Sequence, residues 1–245
     1  MRHVSLVVQY DGTDYAGFQI QPDNPTIQGE LERALEKLLG GETRVTAASR
    51  TDAGVHALGQ VVTFTTDNAI PVERLPEALN ALLPRAIICE VAGEASPDFH
   101  PRFAAVSKLY SYRILNRRQP SPFIGRYAWH VREPVQVEAM QEAGGYLVGE
   151  HDFAAFCAAG GSAQSTVREI HRLDCRREGD LIESYVEANG FLYMMVRVIM
   201  GTLVEVGVGR MAPGKVRDIL ASGERGQAGR TAPPQGLCLL RVDYN

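Results

Sequence analysis

The sequence predicts an α+β fold: two related ferredoxin-like (β-α-β-β-α-β) units forming a shared antiparallel sheet, with the helices on one side. Three observations carry that expectation. Apolar spacing switches between period 2 and period 3.6 in the order β-α-β-β-α-β over the first hundred residues. A looser version of the same order returns in the second half. No run of about 18 uninterrupted apolar residues occurs, so no membrane span is expected.

In order, Val4, Leu6 and Val8 alternate with Ser5, Val7 and Gln9 as a first strand. Asp11-Gly12-Thr13-Asp14-Tyr15-Ala16-Gly17 reads as a loop. Thr26 is placed to cap a helix whose Ile27, Leu31, Leu35, Leu38 and Leu39 form one apolar stripe, and Gly40-Gly41 stops it. Strands are expected over 43–48 and 59–66, a helix over 72–82 with Pro76 in its first turn, and a strand over 86–91.

The second half opens with a long strand over 106–116, whose Lys108, Tyr110 and Tyr112 share a face. A strand over 126–131 and a helix over 135–148 follow. Strands over 167–177 and 180–188 are joined by a Glu178-Gly179-Asp180 turn. The most apolar helix covers Phe191 to Val206, before a short helix over 213–221 and a strand over 237–243. Asp98-Phe99-His100-Pro101 interrupts the periodicity, which places a domain boundary between 1–104 and 105–245.

A hydrophobic fraction of 45% and a charged fraction of 22% are those of an ordinary globular protein. The four cysteines show no metal-type or redox-type spacing, the six histidines no ligand spacing, and the N-terminus leaves no room for a signal peptide. These features point to a cytoplasmic protein with reduced thiols and no metal. Neither Gly40-Gly41 nor Gly160-Gly161 has the Lys/Ser pattern of a phosphate-cradling loop, so no nucleotide cofactor is expected.

The net charge of −4 hides an asymmetry. Residues 1–100 carry 7 Lys/Arg against 14 Asp/Glu, and residues 101–245 carry 18 against 15. Within 101–132 lie seven basic residues and no acidic one, interleaved with Tyr110, Tyr112, Phe123, Tyr127 and Trp129. Basic groups meet phosphates and aromatic rings stack on bases, so this composition suits an RNA partner; a solvated basic face over core aromatics accounts for it too.

Two residues stand out chemically. Asp52 lies in the polar loop Ser49-Arg50-Thr51-Asp52-Ala53-Gly54 between two apolar runs. Such a loop is either turn chemistry or a carboxylate rigidly carried yet reachable. Arg197 lies in Phe191-Leu192-Tyr193-Met194-Met195-Val196-Arg197-Val198-Ile199-Met200, where almost every neighbour is apolar. It either snorkels or finds a carboxylate, a phosphate or a cleft.

Ser49-Arg50-Thr51-Asp52-Ala53-Gly54-Val55-His56-Ala57 resembles the signature of the pseudouridine synthase I family, the tRNA uridine isomerases. Phe99-His100-Pro101-Arg102-Phe103, Lys108-Leu109-Tyr110-Ser111-Tyr112-Arg113-Ile114, His151-Asp152-Phe153, Ser165-Thr166-Val167-Arg168, the Gly190 to Arg197 stretch and Thr231-Ala232-Pro233-Pro234-Gln235-Gly236-Leu237 resemble the family in the same order. Departures are small: Pro233-Pro234-Gln235 in the last motif and an alanine-rich Asp152-Phe153-Ala154-Ala155-Phe156.

The resemblance implies isomerisation of uridines at positions 38, 39 and 40 in the tRNA anticodon arm, by a homodimer that uses no cofactor. It implies that Asp52 is the catalytic carboxylate, Tyr110 the ring beside the uracil, and Arg197 the partner of Asp52. Arg50 is implied as RNA-contacting or Asp-orienting, and Arg102, Lys108 and Arg168 as RNA-contacting, around a central cleft that receives a flipped base. The rival expectation is a non-catalytic RNA-binding pair of units.

Overall fold

The computed structural model describes residues 1–161 and 163–245. In chain order the first elements are β1 (Arg2–Tyr10), α1 (Ile27–Leu39), β2 (Thr46–Ala47), β3 (His56–Thr66), α2 (Leu75–Asn80) and β4 (Ile87–Glu94). Then come β5 (Ala105–Asn116), β6 (Trp129–Val131), α3 (Val137–Gly145), β7 (Gly149–Asp152), β8 (Val167–Glu178) and β9 (Leu181–Ala188). The chain finishes with α4 (Met195–Gly207), α5 (Lys215–Ser222) and β10 (Leu237–Tyr244). Among the described residues no helix is long and apolar enough to cross a membrane.

The chain forms two compact units, Met1–Val106 with Cys238–Asn245, and Ser107–Leu237. In the first, the strands run β4-β1-β3-β2, each antiparallel to its neighbour. In β1, Val4, Leu6, Val8 and Tyr10 are buried while the residues between them are half-buried, as period 2 requires. α1 begins at Thr26, whose hydroxyl accepts the Gly29 N–H at 3.2 Å, and ends at Gly40 in the left-handed region. The final strand, read with the second half from its place in the sequence, returns here: β10 pairs in parallel with β3 over Cys238↔His56 and Leu239↔Ala57.

The expected strand over 43–48 shrinks to Thr46–Ala47. The nearly buried Glu32 of α1 explains this, because its carboxylate accepts the Val45 N–H at 3.0 Å and meets Arg44 at 2.9 Å. A side chain takes the backbone donor that a strand partner would have used.

In the second unit β5, β9, β8 and β7 form an antiparallel series, and β6 pairs in parallel with the end of β5. β9 lies beside β5 with β8 beyond it, as β3 lies beside β1 with β2 beyond it in the first unit, and β7 adds a further strand outside β8. α4 is buried along almost its whole length, with Arg197 and Glu205 half-buried. It starts at Met195 rather than Phe191, because Met194 has a φ of 57° and a left-handed residue cannot lie inside a right-handed helix.

Candidate active site

The loop between β2 and β3 is held against a second loop of the same unit. Val55 N–H closes a turn on the Asp52 carbonyl at 3.1 Å, and Gly54 takes a φ of 77°. Phe18 N–H donates to the Thr51 carbonyl at 3.0 Å, and Gly54 N–H to the Tyr15 carbonyl at 3.3 Å. The loops approach so closely that a Cβ on Gly17 would sit 2.8 Å from the Thr51 carbonyl oxygen and 3.1 Å from the Asp52 carbonyl carbon. Gly17 also has a φ of 102°, so glycine is required there on two counts. His56 is buried, with Nδ1 3.1 Å from Gly12 N and 3.2 Å from Asp11 Oδ1, which ties β3 to the same loop.

Asp52 is half-buried at the head of this assembly and Arg50 is exposed. A carboxylate on backbone fixed from two sides keeps its direction, which a reacting group needs.

The second unit carries Tyr110 and Arg197. Tyr110 on β5 is buried, its ring edge-on to Phe191 at 5.2 Å and 88°. Arg197 lies in the first turn of α4, and its Nε donates to the Ala232 carbonyl at 2.8 Å. That bond belongs to a strap formed by residues 225–236. Ala232 N–H donates to the Arg197 carbonyl at 3.0 Å, Gly229 N–H to Thr202 Oγ1 at 2.9 Å, and Arg225 to the Gly229 carbonyl at 3.0 Å. The strap presses on α4 where Gly201 leaves room; a Cβ there would lie 1.7 Å from the Arg230 carbonyl oxygen.

Tyr112, fully buried on β5, donates its hydroxyl to the Pro233 carbonyl at 2.7 Å and so holds the far end of the strap. Burial pushes its phenol well above the usual value, while the charges of Arg197 and Arg230 pull the other way. Arg230 itself lies 4.8 Å from the Trp129 ring centroid.

The structure thus puts Asp52 and Arg50 on one loop of the first unit, and Tyr110, Arg197, Lys108 and Arg168 in the second. Lys108 is buried on β5. Arg168 donates to the Ser165 carbonyl at 3.0 Å, and its side chain passes beside Gly190. Arg102 is exposed, its guanidinium 5.8 Å from the Phe103 ring centroid. Sequence reasoning missed the grip of Arg225 on the strap and the Tyr112 hydrogen bond to Pro233. The available signal was Thr231 to Leu237, a motif with no chemistry of its own. Among the described residues no group of three or more His, Cys, Asp or Glu side chains is arranged to hold a metal ion.

Residues 6–104 and 143–245 match the family described as tRNA pseudouridine synthase. The chain is 48% identical over 244 residues to the tRNA pseudouridine synthase A of Thermoanaerobacter sp. (strain X514), covering 100% of each chain. It is 49% identical over 243 residues to the tRNA pseudouridine synthase A of Moorella thermoacetica, covering 98% of this chain and 99% of that one. To the enzyme of that name from Geobacter sulfurreducens it is 45% identical over 244 residues, again covering 100% of each. With a family match over most of its length and full-length relatives at this identity, the chain belongs to the tRNA pseudouridine synthases, isomerases that turn uridine in tRNA into pseudouridine.

Proposed function

We propose that this enzyme acts on uridines 38, 39 and 40 of the tRNA anticodon arm, with Asp52 as its catalytic carboxylate. The observation that carries the proposal is the Asp52 loop itself, pinned through Thr51 and Gly54 by the neighbouring loop while residue 52 stays half-buried.

The reaction breaks the N1–C1′ bond, turns the uracil and forms a C5–C1′ bond. The C5 proton leaves and N1 gains one, so atoms balance without a redox partner, ATP or a group donor. Asp52 acts either as nucleophile at C1′ or as base at C2′. Tyr110 offers a flat ring for the detached uracil and a hydroxyl for proton movement. Arg197 orients the carboxylate, and Arg50, Arg102, Lys108 and Arg168 meet the RNA.

The same reading makes the enzyme a cytoplasmic homodimer with domains 1–104 and 105–245 built on ferredoxin-like units. The first unit's β4-β1-β3-β2 order supports the last point.

The test is incubation of the purified protein with unmodified tRNA transcripts, followed by mapping of pseudouridine. Product at 38, 39 and 40, absent with Asp52→Asn, is expected. Product confined to other positions, or an Asp52→Asn enzyme within tenfold of wild type, refutes the corresponding part.

A further inference from the structure

A buried chain of side chains in the first unit ends on the loop that carries Asp52. Gln60, on β3, is fully buried. Its amide oxygen accepts the Ser49 N–H at 3.1 Å, and its amide nitrogen donates to the Ser49 carbonyl at 2.7 Å. One side chain thus satisfies both polar groups of a backbone residue, as a neighbouring strand would.

The same nitrogen reaches the Tyr10 hydroxyl at 3.2 Å. An amide nitrogen only donates, so the phenol oxygen accepts there, and the same hydroxyl shares a hydrogen bond with Thr51 Oγ1, 2.8 Å away. Tyr10 is 4% exposed and Thr51 7%. Each bond is therefore made where a missing partner leaves a desolvated group behind.

Strand pairing does not demand this arrangement. β1 and β3 pair through their own backbones, and Ala48 N–H already reaches the Val61 carbonyl at 2.8 Å. Leucine at 60 and phenylalanine at 10 would fill the same space without needing partners. What the two polar side chains add is a grip on residues 49 and 51, on either side of Arg50, with Asp52 next in line.

We propose that Tyr10 and Gln60 are positioning residues for Asp52, holding Ser49 and Thr51 so that the carboxylate keeps one direction toward the ribose. The inference rests on the reading of Asp52 as the catalytic carboxylate. It assigns to two residues of adjacent strands a role in the rate of the chemical step and none in holding RNA.

The test measures single-turnover pseudouridine formation and tRNA Kd with the full chain. Tyr10→Phe removes the hydroxyl and keeps the ring, which packs 6.2 Å from Phe18. Its rate is expected to fall about ten- to a hundredfold, the scale of a misplacement of about 1 Å, with Kd changed less than about threefold. Thr51→Val should behave alike, whereas Thr51→Ser, which keeps the hydroxyl, should return to within about threefold of wild type.

Leu79→Val, at a buried position of α2 in the same unit, controls for reduced stability and should lower Tm without slowing the reaction. A wild-type rate for Tyr10→Phe, or an equal loss in Leu79→Val, overturns the positioning role. Asp52→Asn is measured alongside. If it is active, the catalytic reading falls and takes this role with it. If it is inactive while Tyr10→Phe is unaffected, only the positioning role falls.

Discussion

Arg197 and Ala232 hold each other twice: the Arg197 Nε donates to the Ala232 carbonyl at 2.8 Å, and the Ala232 N–H donates to the Arg197 carbonyl at 3.0 Å. The guanidinium plane is thereby fixed by its own stem. The two terminal nitrogens are presented as a fork of set direction.

Lysine at 197 keeps the charge and loses both the Nε bond and the fork. Arg197→Lys is therefore expected to slow single-turnover isomerisation by about tenfold or more, the worth of roughly 1.4 kcal/mol in a barrier. Arg197→Met should bring it below detection. A lysine enzyme within twofold of wild type would show that charge alone suffices.

The strap can be displaced without touching Arg197. Gly201→Ala puts a methyl group 1.7 Å from the Arg230 carbonyl oxygen, a backbone atom that has to shift. A loss of about 1–3 kcal/mol in urea unfolding is expected, together with slower chemistry. Gly145→Ala, at the end of α3 with nothing within 4 Å of the new methyl, should match or exceed wild-type stability. Equal effects at both positions would remove the strap from the account.

Tyr110 and Tyr112 share a strand face, and their phenylalanine variants should part. Tyr112→Phe leaves the Pro233 carbonyl without its donor, so stability should fall by about 1–3 kcal/mol. Tyr110→Phe keeps the ring against Phe191 and removes only the hydroxyl. It should bind tRNA normally and release the C5 proton more slowly, read as label released from C5. The reverse pattern would give Tyr112 the chemical part.

The basic stretch 101–132 divides once structure is considered. Arg117 is occupied by the Gln119 and Pro120 carbonyls at 2.8 and 3.1 Å, whereas Arg102 and Arg118 are exposed. Replacing Arg102 and Arg118 by alanine should flatten the dependence of log Kd on log salt by about 0.7–0.9 for each phosphate no longer neutralised. Arg117→Ala should leave that slope alone. A slope unchanged in the Arg102 and Arg118 double variant moves the RNA elsewhere.

Burial pushes the Cys89 thiol up to about 12 and the Cys175 thiol up to about 11. Both stay protonated at pH 8, so a thiol reagent should label the half-buried Cys157 and Cys238 first and reach all four only in denaturant. The stability gained by keeping these thiols neutral is complete below about 8.5, the ordinary thiol value, and fades as pH climbs toward 11–12. Rapid labelling of Cys89 in the native protein at pH 8 would contradict its burial.

Much of the first unit was legible because its signals are local. Thr26 and Gly40 mark the ends of α1, and the alternation in β1 is unbroken. β2 was overestimated because the competing acceptor is Glu32, a carboxylate on a helix face that periodicity counts as polar surface. The start of α4 was set by the left-handed Met194, a conformation that packing imposes on a residue with no preference for it. Arg197 announced its need for a partner, since a guanidinium among apolar neighbours must be satisfied. Its Nε partner did not, because Ala232 contributes a main-chain oxygen and every residue has one. Gln60 escaped for a related reason: one amide in the run Gly59-Gln60-Val61-Val62 looks like an ordinary strand position until Ser49 is placed opposite it.

The last strand to be made closes the edge of β3 beside the Asp52 loop. By Glu94 the ribosome has delivered every other strand of the first unit, yet β3 must wait at His56 and Ala57 for Cys238 and Leu239. At roughly 5–20 residues per second that interval is on the order of ten seconds or more, during which a strand edge lies open in a crowded cell. Translation therefore leaves this edge of β3 uncovered until Cys238 and Leu239 emerge. A chain stopped before Cys238 would be stranded there, with the Asp52 loop built and the neighbouring seam never sewn.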